Sequence, residues 1–213
     1  VEIFRGSPSA VAAIVIEGTP GDDTLEIDLD LLGLIPAGGI VFNGGLGFDS
    51  MVLTGGSGIA TVEHTFVSEN DGSVAVDGSL LATYTGLDPI LDNLSTVNRI
   101  FTFTAGSETV VLSDDGNPGN NYSFIDADFA ESVTFLNPTA TLTVNLGAGD
   151  DTIKGNSGDD TIKGNSGIDI IYANSGSDVI DGGENTDRCY YSNPETDSIL
   201  NCEEESLLII FQQ

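Results

Sequence analysis

Five aspartates recur at intervals of nine residues near the end of the 213-residue chain. Each follows a run of small, turn-forming residues. Isolated turns also contain aspartate, but they do not keep it in phase over five periods. Carboxylates are hard oxygen ligands, and Ca²⁺ takes about six to eight such ligands. The regular spacing therefore marks these five aspartates as candidate cation ligands: Asp151, Asp160, Asp169, Asp178 and Asp187.

An apolar residue stands two places after each aspartate. It is isoleucine in four copies, Ile153, Ile162, Ile171 and Ile180, and Cys189 in the last. A strict period held over five copies indicates a solenoid, in which each repeat buries its apolar side against its neighbours.

Gly155–Lys163 reads G-N-S-G-D-D-T-I-K. It resembles the hemolysin-type calcium-binding repeat of the RTX family, G-G-x-G-x-D-x-U-x. The resemblance implies a parallel β-roll, in which two repeats complete one coil and the position-eight residue points inward. Aspartates two repeats apart then stack, so Asp151, Asp169 and Asp187 share one edge of the roll and Asp160 and Asp178 share the other.

Stacked carboxylates need a cation. Adjacent coils lie about 4.8 Å apart, and two carboxylates at that distance repel by about 3–4 kcal/mol at an effective dielectric constant of about 20. We therefore predict several Ca²⁺ ions, held by carboxylates and turn carbonyls, with Asp151 heading its column. The predicted pairs are Asp151 with Asp169, Asp169 with Asp187, and Asp160 with Asp178.

The acids next to the repeat aspartates have a different interpretation. Asp150 and Asp159 are replaced by Ile168 and Ser177 in later copies, so we interpret them as solvated charge. The nine-residue period continues upstream without acids. It predicts buried apolar side chains at positions six and eight of two further repeats: Val133, Phe135, Leu142 and Val144.

Two outlying stretches echo the repeat. Gly44–Val52, GGLGFDSMV, matches the whole nonapeptide, with Asp49 as ligand and Met51 pointing inward. Gly18–Glu26 matches more loosely, through Asp23. Neither aspartate has a partner 18 residues away, so each binds calcium only if another part of the fold supplies ligands.

We expect an all-β fold, with a C-terminal RTX parallel β-roll, or β-solenoid, continuous with an irregular, solenoid-like N-terminal region. The predicted units are 1–127, β-rich with isolated RTX-like turns, 128–190, the calcium-binding roll, and 191–213, a cap with an apolar terminal strand. Asp77-Gly78 signals a hairpin. One helix is predicted in LDPILDNL, where Asp88 caps and Pro89 suits the first helical position.

Composition excludes several partners. Asp and Glu number 34 against five Lys and Arg, a formal net charge of −29. Nucleic acids and anionic membranes require basic patches, so neither is expected as a partner. No apolar run approaches the roughly 18 residues that span a bilayer. The chain is 39% hydrophobic, which is enough to bury a core.

The only two cysteines, Cys189 and Cys202, flank the end of the last repeat. RTX-like arrays of secreted proteins end in similar pairs, and this resemblance implies a disulfide. The bridge would clamp the last coil and would place the protein in an oxidising, extracellular compartment. Two reduced thiols are the alternative.

We expect no catalytic activity. His64 is the only histidine and lies in a strand-like stretch, where a surface or packed residue is expected. Three hypotheses remain: an extracellular calcium-binding structural protein of a surface layer, adhesin or filament; an accessory RTX module of a secreted lyase, epimerase or hydrolase; and a solenoid lyase or epimerase, disfavoured because no base is evident. Apolar terminal strands favour self-association into a polymer. No receptor or glycan can be named.

Overall fold

The computed structural model describes residues 11–30, 35–114, 120–128, 130–155, 159–192 and 196–207. These residues form two ten-stranded sheets, here called sheet A and sheet B, and contain no α-helix. Strands are numbered in chain order. Among the described residues, none belongs to a helix that could span a membrane.

Sheet A holds the strands that begin each coil. They are β1 (Ile14–Glu17), β3 (Ile40–Asn43), β5 (Ile59–Phe66), β6 (Gly72–Val76), β7 (Ser79–Thr85), β9 (Thr96–Thr102), β13 (Thr141–Asn145), β15 (Asp160–Ser166), β17 (Val179–Glu184) and β19 (Ser198–Leu200).

Sheet B holds the strands that complete each coil. They are β2 (Thr24–Asp28), β4 (Asp49–Thr54), β8 (Leu87–Asp92), β10 (Thr109–Asp114), β11 (Tyr122–Ala127), β12 (Ala130–Leu136), β14 (Thr152–Lys154), β16 (Ile170–Asn174), β18 (Arg188–Tyr191) and β20 (Glu204–Leu207).

The chain alternates between the sheets through turns at two edges. The A–B edge contains the turns that lead from sheet A into sheet B, and the B–A edge contains those that lead back. From β13 onward each strand pairs in parallel with the strand two places later in the chain, as in β14 with β16. This is the predicted parallel β-roll, and the same two sheets continue through the N-terminal region.

Two antiparallel meanders interrupt the regular winding. In sheet A the spatial order is β3-β7-β6-β5-β9, and in sheet B it is β8-β12-β11-β10-β14. In sheet A, β5 forms two positions away from β3, and β6 and β7 then fill the gap between them. In sheet B, β10 forms two positions away from β8, and β11 and β12 fill that gap. The predicted hairpin at Asp77-Gly78 joins β6 and β7, and both turn residues have positive φ.

Alternating side chains fill the space between the sheets. The position-eight residues Ile153, Ile162, Ile171, Ile180 and Cys189 are all fully buried. The residues predicted to continue this core upstream are buried as well, and so is Met51; they are Val133, Phe135, Leu142 and Val144.

The predicted helix in LDPILDNL is wrong, because Leu87–Asp92 forms strand β8. This strand is paired in parallel on both sides, with β4 and with β12. Ile90 lies between Met51 and Val133 in this ladder and is fully buried. Backbone pairing on two sides and burial of the apolar residues outweigh the local capping signals.

Candidate metal centres

The A–B edge places one carboxylate beside the next. The backbone N–H of Asp151 donates to Oδ1 of Asp169 over 2.9 Å, and that of Asp169 donates to Oδ1 of Asp187 over 2.8 Å. The column continues to Glu203, whose Oε2 accepts the N–H of Asp187. The three aspartates expected to share an edge therefore lie on successive coils.

The B–A edge carries a shorter column. Asp160 donates its N–H to Oδ1 of Asp178 over 3.0 Å, and Asp178 donates in turn to Oδ1 of Asp197 over 3.1 Å. On the other side Asp160 is paired with Leu142. Asp160 therefore heads this column, with an acid on one side only.

The second oxygen of each repeat carboxylate is buried without a hydrogen-bond partner. This holds for Oδ2 of Asp49, Asp151, Asp160, Asp169, Asp178 and Asp187. A buried carboxylate oxygen that meets no donor is costly. Six such oxygens at equivalent places favour the same kind of positively charged partner at each turn.

Glycines keep the space beside these oxygens open. A Cβ at Gly164 would collide with both Oδ2 of Asp169 and the carbonyl oxygen of Gly182, which lies one coil further on. At Gly44 a Cβ would lie 2.5 Å from Oδ2 of Asp49 and 2.6 Å from the carbonyl oxygen of Gly86. A carboxylate oxygen and a carbonyl oxygen from the neighbouring coil thus face the same small space.

This donor set fits Ca²⁺. All the donors are oxygens, as hard cations require. Within the described ranges, no three Asp, Glu, His or Cys side chains converge as a metal-binding group. A calcium ion at a turn would take carboxylate and carbonyl oxygens from neighbouring coils, as they face each other at Gly164 and Gly44.

Burial raises the pKa of the repeat carboxyl groups when no cation is bound. It raises the pKa of Asp160, Asp169 and Asp178 to about 6, with a smaller contribution from neighbouring carboxylates. The pKa of Asp151 is raised to about 8, chiefly by burial; the backbone N–H of Glu108 opposes this rise, and the Glu108 carboxyl group adds to it. Burial also raises the pKa of Asp187. A bound cation would favour the charged form of each group.

Asp150 and Asp159 are exposed, as expected for solvated charge. Each also accepts a backbone hydrogen bond from the next coil. The N–H of Ile168 donates to Oδ1 of Asp150 over 2.9 Å, and that of Ser177 donates to Oδ1 of Asp159 over 2.8 Å. These acids therefore tie neighbouring turns together from outside the column.

The two outlying aspartates lie in adjacent coils, although they are 26 residues apart. The N–H of Asp23 donates to Oδ1 of Asp49 over 2.8 Å. Oδ2 of Asp23 accepts hydrogen bonds from the backbone N–H and the hydroxyl of Thr19. Because only Asp49 keeps a buried, unpartnered oxygen, it is the stronger candidate ligand.

Four acids at column positions were missed by the sequence analysis. Asp197 and Glu203 lie 19 and 16 residues after their neighbours Asp178 and Asp187, off the nine-residue period. Glu108 lies beside Asp151, so the expectation that Asp151 heads its column is wrong. A signal was present for Asp197 and Glu108, since each precedes an inward apolar residue by two places, as the repeat aspartates do.

The fourth missed acid, Glu131, corrects the predicted phase of β12. Val133 pairs with Ile90, and Ile90 pairs with Met51, so Val133 occupies position eight rather than six. Glu131 then takes the place that Asp49 has in its own coil. Both of its carboxylate oxygens are buried without a partner, and burial raises its pKa to about 9.

Cys189 and Cys202 form a disulfide with an S–S distance of 2.01 Å. The expected bridge is thus present. Cys189 is fully buried at position eight, in line with Ile171. The bridge joins the last repeat to the turn that precedes β20.

His64 is packed in the core rather than placed at a surface. Its Nε2 lies 2.8 Å from Oδ2 of Asp92, which also forms a buried ion pair with Arg99. Burial lowers the pKa of His64, and Nδ1 has no hydrogen-bond partner. A neutral imidazole would donate from Nε2 to Asp92.

Together these features define a two-sheet parallel β-roll whose turns present stacked carboxylates and carbonyls to hard cations. The profile of the RTX calcium-binding nonapeptide repeat matches residues 143–171 and 163–192, in four copies. Residues 143–192 therefore carry RTX repeats, and these indicate calcium binding. No curated protein matches the chain.

Proposed function

We propose that this chain is an extracellular structural protein whose fold depends on bound Ca²⁺, serving as a surface-layer, adhesin or filament subunit. The proposal is carried by the buried, unpartnered carboxylate oxygens along both edges of the roll. Several bound cations would neutralise them. Calcium-binding modules of extracellular proteins bind Ca²⁺ at about 0.1–1 mM, so the fold suits that compartment.

Charge and covalent structure support the same location. The net charge of −29 destabilises a compact calcium-free chain through self-repulsion, and bound Ca²⁺ would reduce it. The Cys189–Cys202 disulfide suits an oxidising compartment. We propose a non-enzymatic role, which is supported by the complete burial of the single histidine, His64.

A calcium titration tests this proposal. The purified chain, first treated with chelator, is titrated with Ca²⁺ while circular dichroism and light scattering are recorded. We expect Ca²⁺ to raise the melting temperature, and Mg²⁺ at equal concentration to do much less, because it sheds water reluctantly and demands a stricter geometry. A melting temperature that does not respond to Ca²⁺ would refute the proposal.

We also propose self-association through the terminal strands. Of the apolar terminal stretches, 1–4 and 208–213 lie outside the described residues. Within the described part, β1 is the outermost strand of sheet A and exposes Ile14 and Val15. Apolar strands on an open edge pair with another chain.

Deletion of Leu207–Gln213 tests the self-association. The intact chain should form large assemblies in calcium, and the truncated chain should not. A monomeric intact chain in saturating calcium would disprove the polymer while leaving calcium binding untouched. Assembly that persists after truncation would show that these residues are not the contact.

A further inference from the structure

The turn between β9 and β10 copies the hydrogen bonding of a repeat turn, although it lies outside the matched segment. Within the repeats, Asp151 donates its N–H to Oδ1 of Asp169, and its carbonyl accepts from Ile170 over 2.9 Å. One coil earlier, Glu108 donates its N–H to Oδ1 of Asp151 over 2.8 Å, and its carbonyl accepts from Thr152 over 2.8 Å.

The backbones of these turns also approach each other in the same way. A Cβ at Gly167 would collide with the carbonyl of Gly149, and a Cβ at Gly149 would collide with the carbonyl of Gly106. The hydrogen bond that ties neighbouring turns together outside the column is reproduced too. Asp150 donates its N–H to Oγ of Ser107 over 2.9 Å, just as Ile168 donates to Oδ1 of Asp150. Turn 104–108 therefore stacks on turn 147–151 as one repeat turn stacks on another.

The sequence similarity becomes visible once this register is known. Thr104–Val110 reads T-A-G-S-E-T-V, and Gly147–Ile153 reads G-A-G-D-D-T-I. Val110 pairs with Ile153 in sheet B. The two segments are 43 residues apart because β11, β12 and β13 lie between them, so the nine-residue period does not reveal the relationship.

The Glu108 carboxylate is placed as a ligand would be. Its side chain is 2% exposed, and one oxygen accepts a hydrogen bond from the hydroxyl of Thr104. The other oxygen, Oε2, is buried without a partner, as is Oδ2 of Asp151. Two unsatisfied carboxylate oxygens on successive coils are the arrangement found between Asp151 and Asp169.

We propose that Glu108 is a calcium ligand and that Thr104–Glu108 is a divergent repeat turn, holding one Ca²⁺ against turn 147–151. This inference rests on the proposed calcium binding of the repeats. It gives Asp151 a calcium site on each side. It also connects the metal column directly to β9 and β10, outside the matched segment.

The number of bound ions tests the site. Full-length chains are equilibrated with Ca²⁺ and the metal is counted by mass spectrometry, with folding checked by circular dichroism. We expect Glu108→Gln to bind one ion fewer than the unaltered chain. The matched control, Glu26→Gln, removes an exposed carboxylate on β2 and should bind the full number.

Each outcome separates the two proposals. If the unaltered chain binds no Ca²⁺, the proposed function fails. If it binds Ca²⁺ and Glu108→Gln binds the same number with the same affinity, only the Glu108 site is disproved. Should Glu108→Gln fail to fold, crystals of the unaltered chain with Tb³⁺ decide. We expect an anomalous peak between turn 104–108 and turn 147–151. Peaks between Asp151 and Asp169 without a peak between those two turns would overturn the Glu108 site.

Discussion

Arg99 and Asp92 form an ion pair in which both side chains are fully buried between the sheets. The Arg99 guanidinium also donates to the carbonyls of Leu94 and Leu136. Leu94 lies in the connection from β8 to β9, and Leu136 ends β12, just before the connection to β13. Both connections lead from sheet B back to sheet A. Arg99 lies in register with Leu142, and Leu142 with Asp160. A fixed protein cation thus lies in the same row as Asp160, the first candidate ligand of the B–A edge.

Replacing Arg99 should strongly destabilise the chain. Arg99→Met leaves the Asp92 carboxylate buried, with His64 and the N–H of Leu94 as its remaining donors in the described part of the chain. Breaking a buried ion pair on one side costs about 3–5 kcal/mol. Urea unfolding in saturating calcium measures the loss.

The matched control for this change is Arg188→Met. Arg188 forms an ion pair with Glu204 in which both side chains are about half exposed, so its loss should be far smaller. If the two variants unfold at the same urea concentration, the buried pair does not stabilise the fold as described.

The repeat aspartates should differ according to their neighbours. Asp151 and Asp169 each have an acid on both sides, whereas Asp160 has Leu142 on one side. We expect Asp151→Asn and Asp169→Asn to reduce the calcium-induced rise in melting temperature by similar amounts, and Asp160→Asn to reduce it less. Asparagine keeps the oxygen that accepts the neighbouring N–H.

Differential scanning calorimetry with and without calcium provides this ranking, and Glu26→Gln serves as the charge-matched control. An Asp160→Asn variant as damaged as Asp169→Asn would contradict the column scheme. A small effect of Asp151→Asn would instead count against Glu108 as its partner.

The calcium-free chain should become more stable as the pH falls. The carboxyl groups of Asp160, Asp169 and Asp178 have folded-state pKa values of about 6, above the unfolded value of about 3.9. The folded chain therefore binds more protons, and the free energy of unfolding rises as the pH drops from about 7 towards about 4.

Urea unfolding in chelator at about pH 7, 6 and 5 measures this slope. Asp169→Asn combined with Asp178→Asn should flatten it, because two of the responsible groups are removed. Calcium should reverse it, since protons and Ca²⁺ compete for the same oxygens. A chelated chain that loses stability over this range would show that other groups dominate.

Loss of the disulfide should destabilise the last coil. The bridge closes a short loop, with a sequence separation of 13, and such a loop contributes about 3 kcal/mol in the chain-entropy model. Cys189→Val with Cys202→Ala keeps an apolar residue at position eight and removes only the link. Hydrogen exchange should rise first in β18 and β20, and unchanged exchange there would argue against a clamping role.

The repeat array could be predicted from sequence because one physical rule governs every copy. A nine-residue period fixes strand register, so the adjacency of Asp151 and Asp169 follows from counting. Glu108 could not be placed beside Asp151 in this way, because a meander separates them along the chain. The strand at Leu87–Asp92 was predicted as a helix for a related reason. Its two neighbours in the sheet, β4 and β12, are distant in sequence, so their pairing with it does not show in the local pattern.

The interleaved meanders determine the order in which the roll can form. From β13 onward each coil needs only the coil before it, so ordering can spread turn by turn towards the C-terminus. The middle cannot grow in this way, because β5 is joined to β3 only through β6 and β7, which follow it in the chain. Strands β5 to β12 should therefore assemble together, and more slowly than the repeat coils, because their parallel pairings join strands far apart in the chain. Once formed, these strands present β9 and β10 as the edges on which the first repeat strands, β13 and β14, pair.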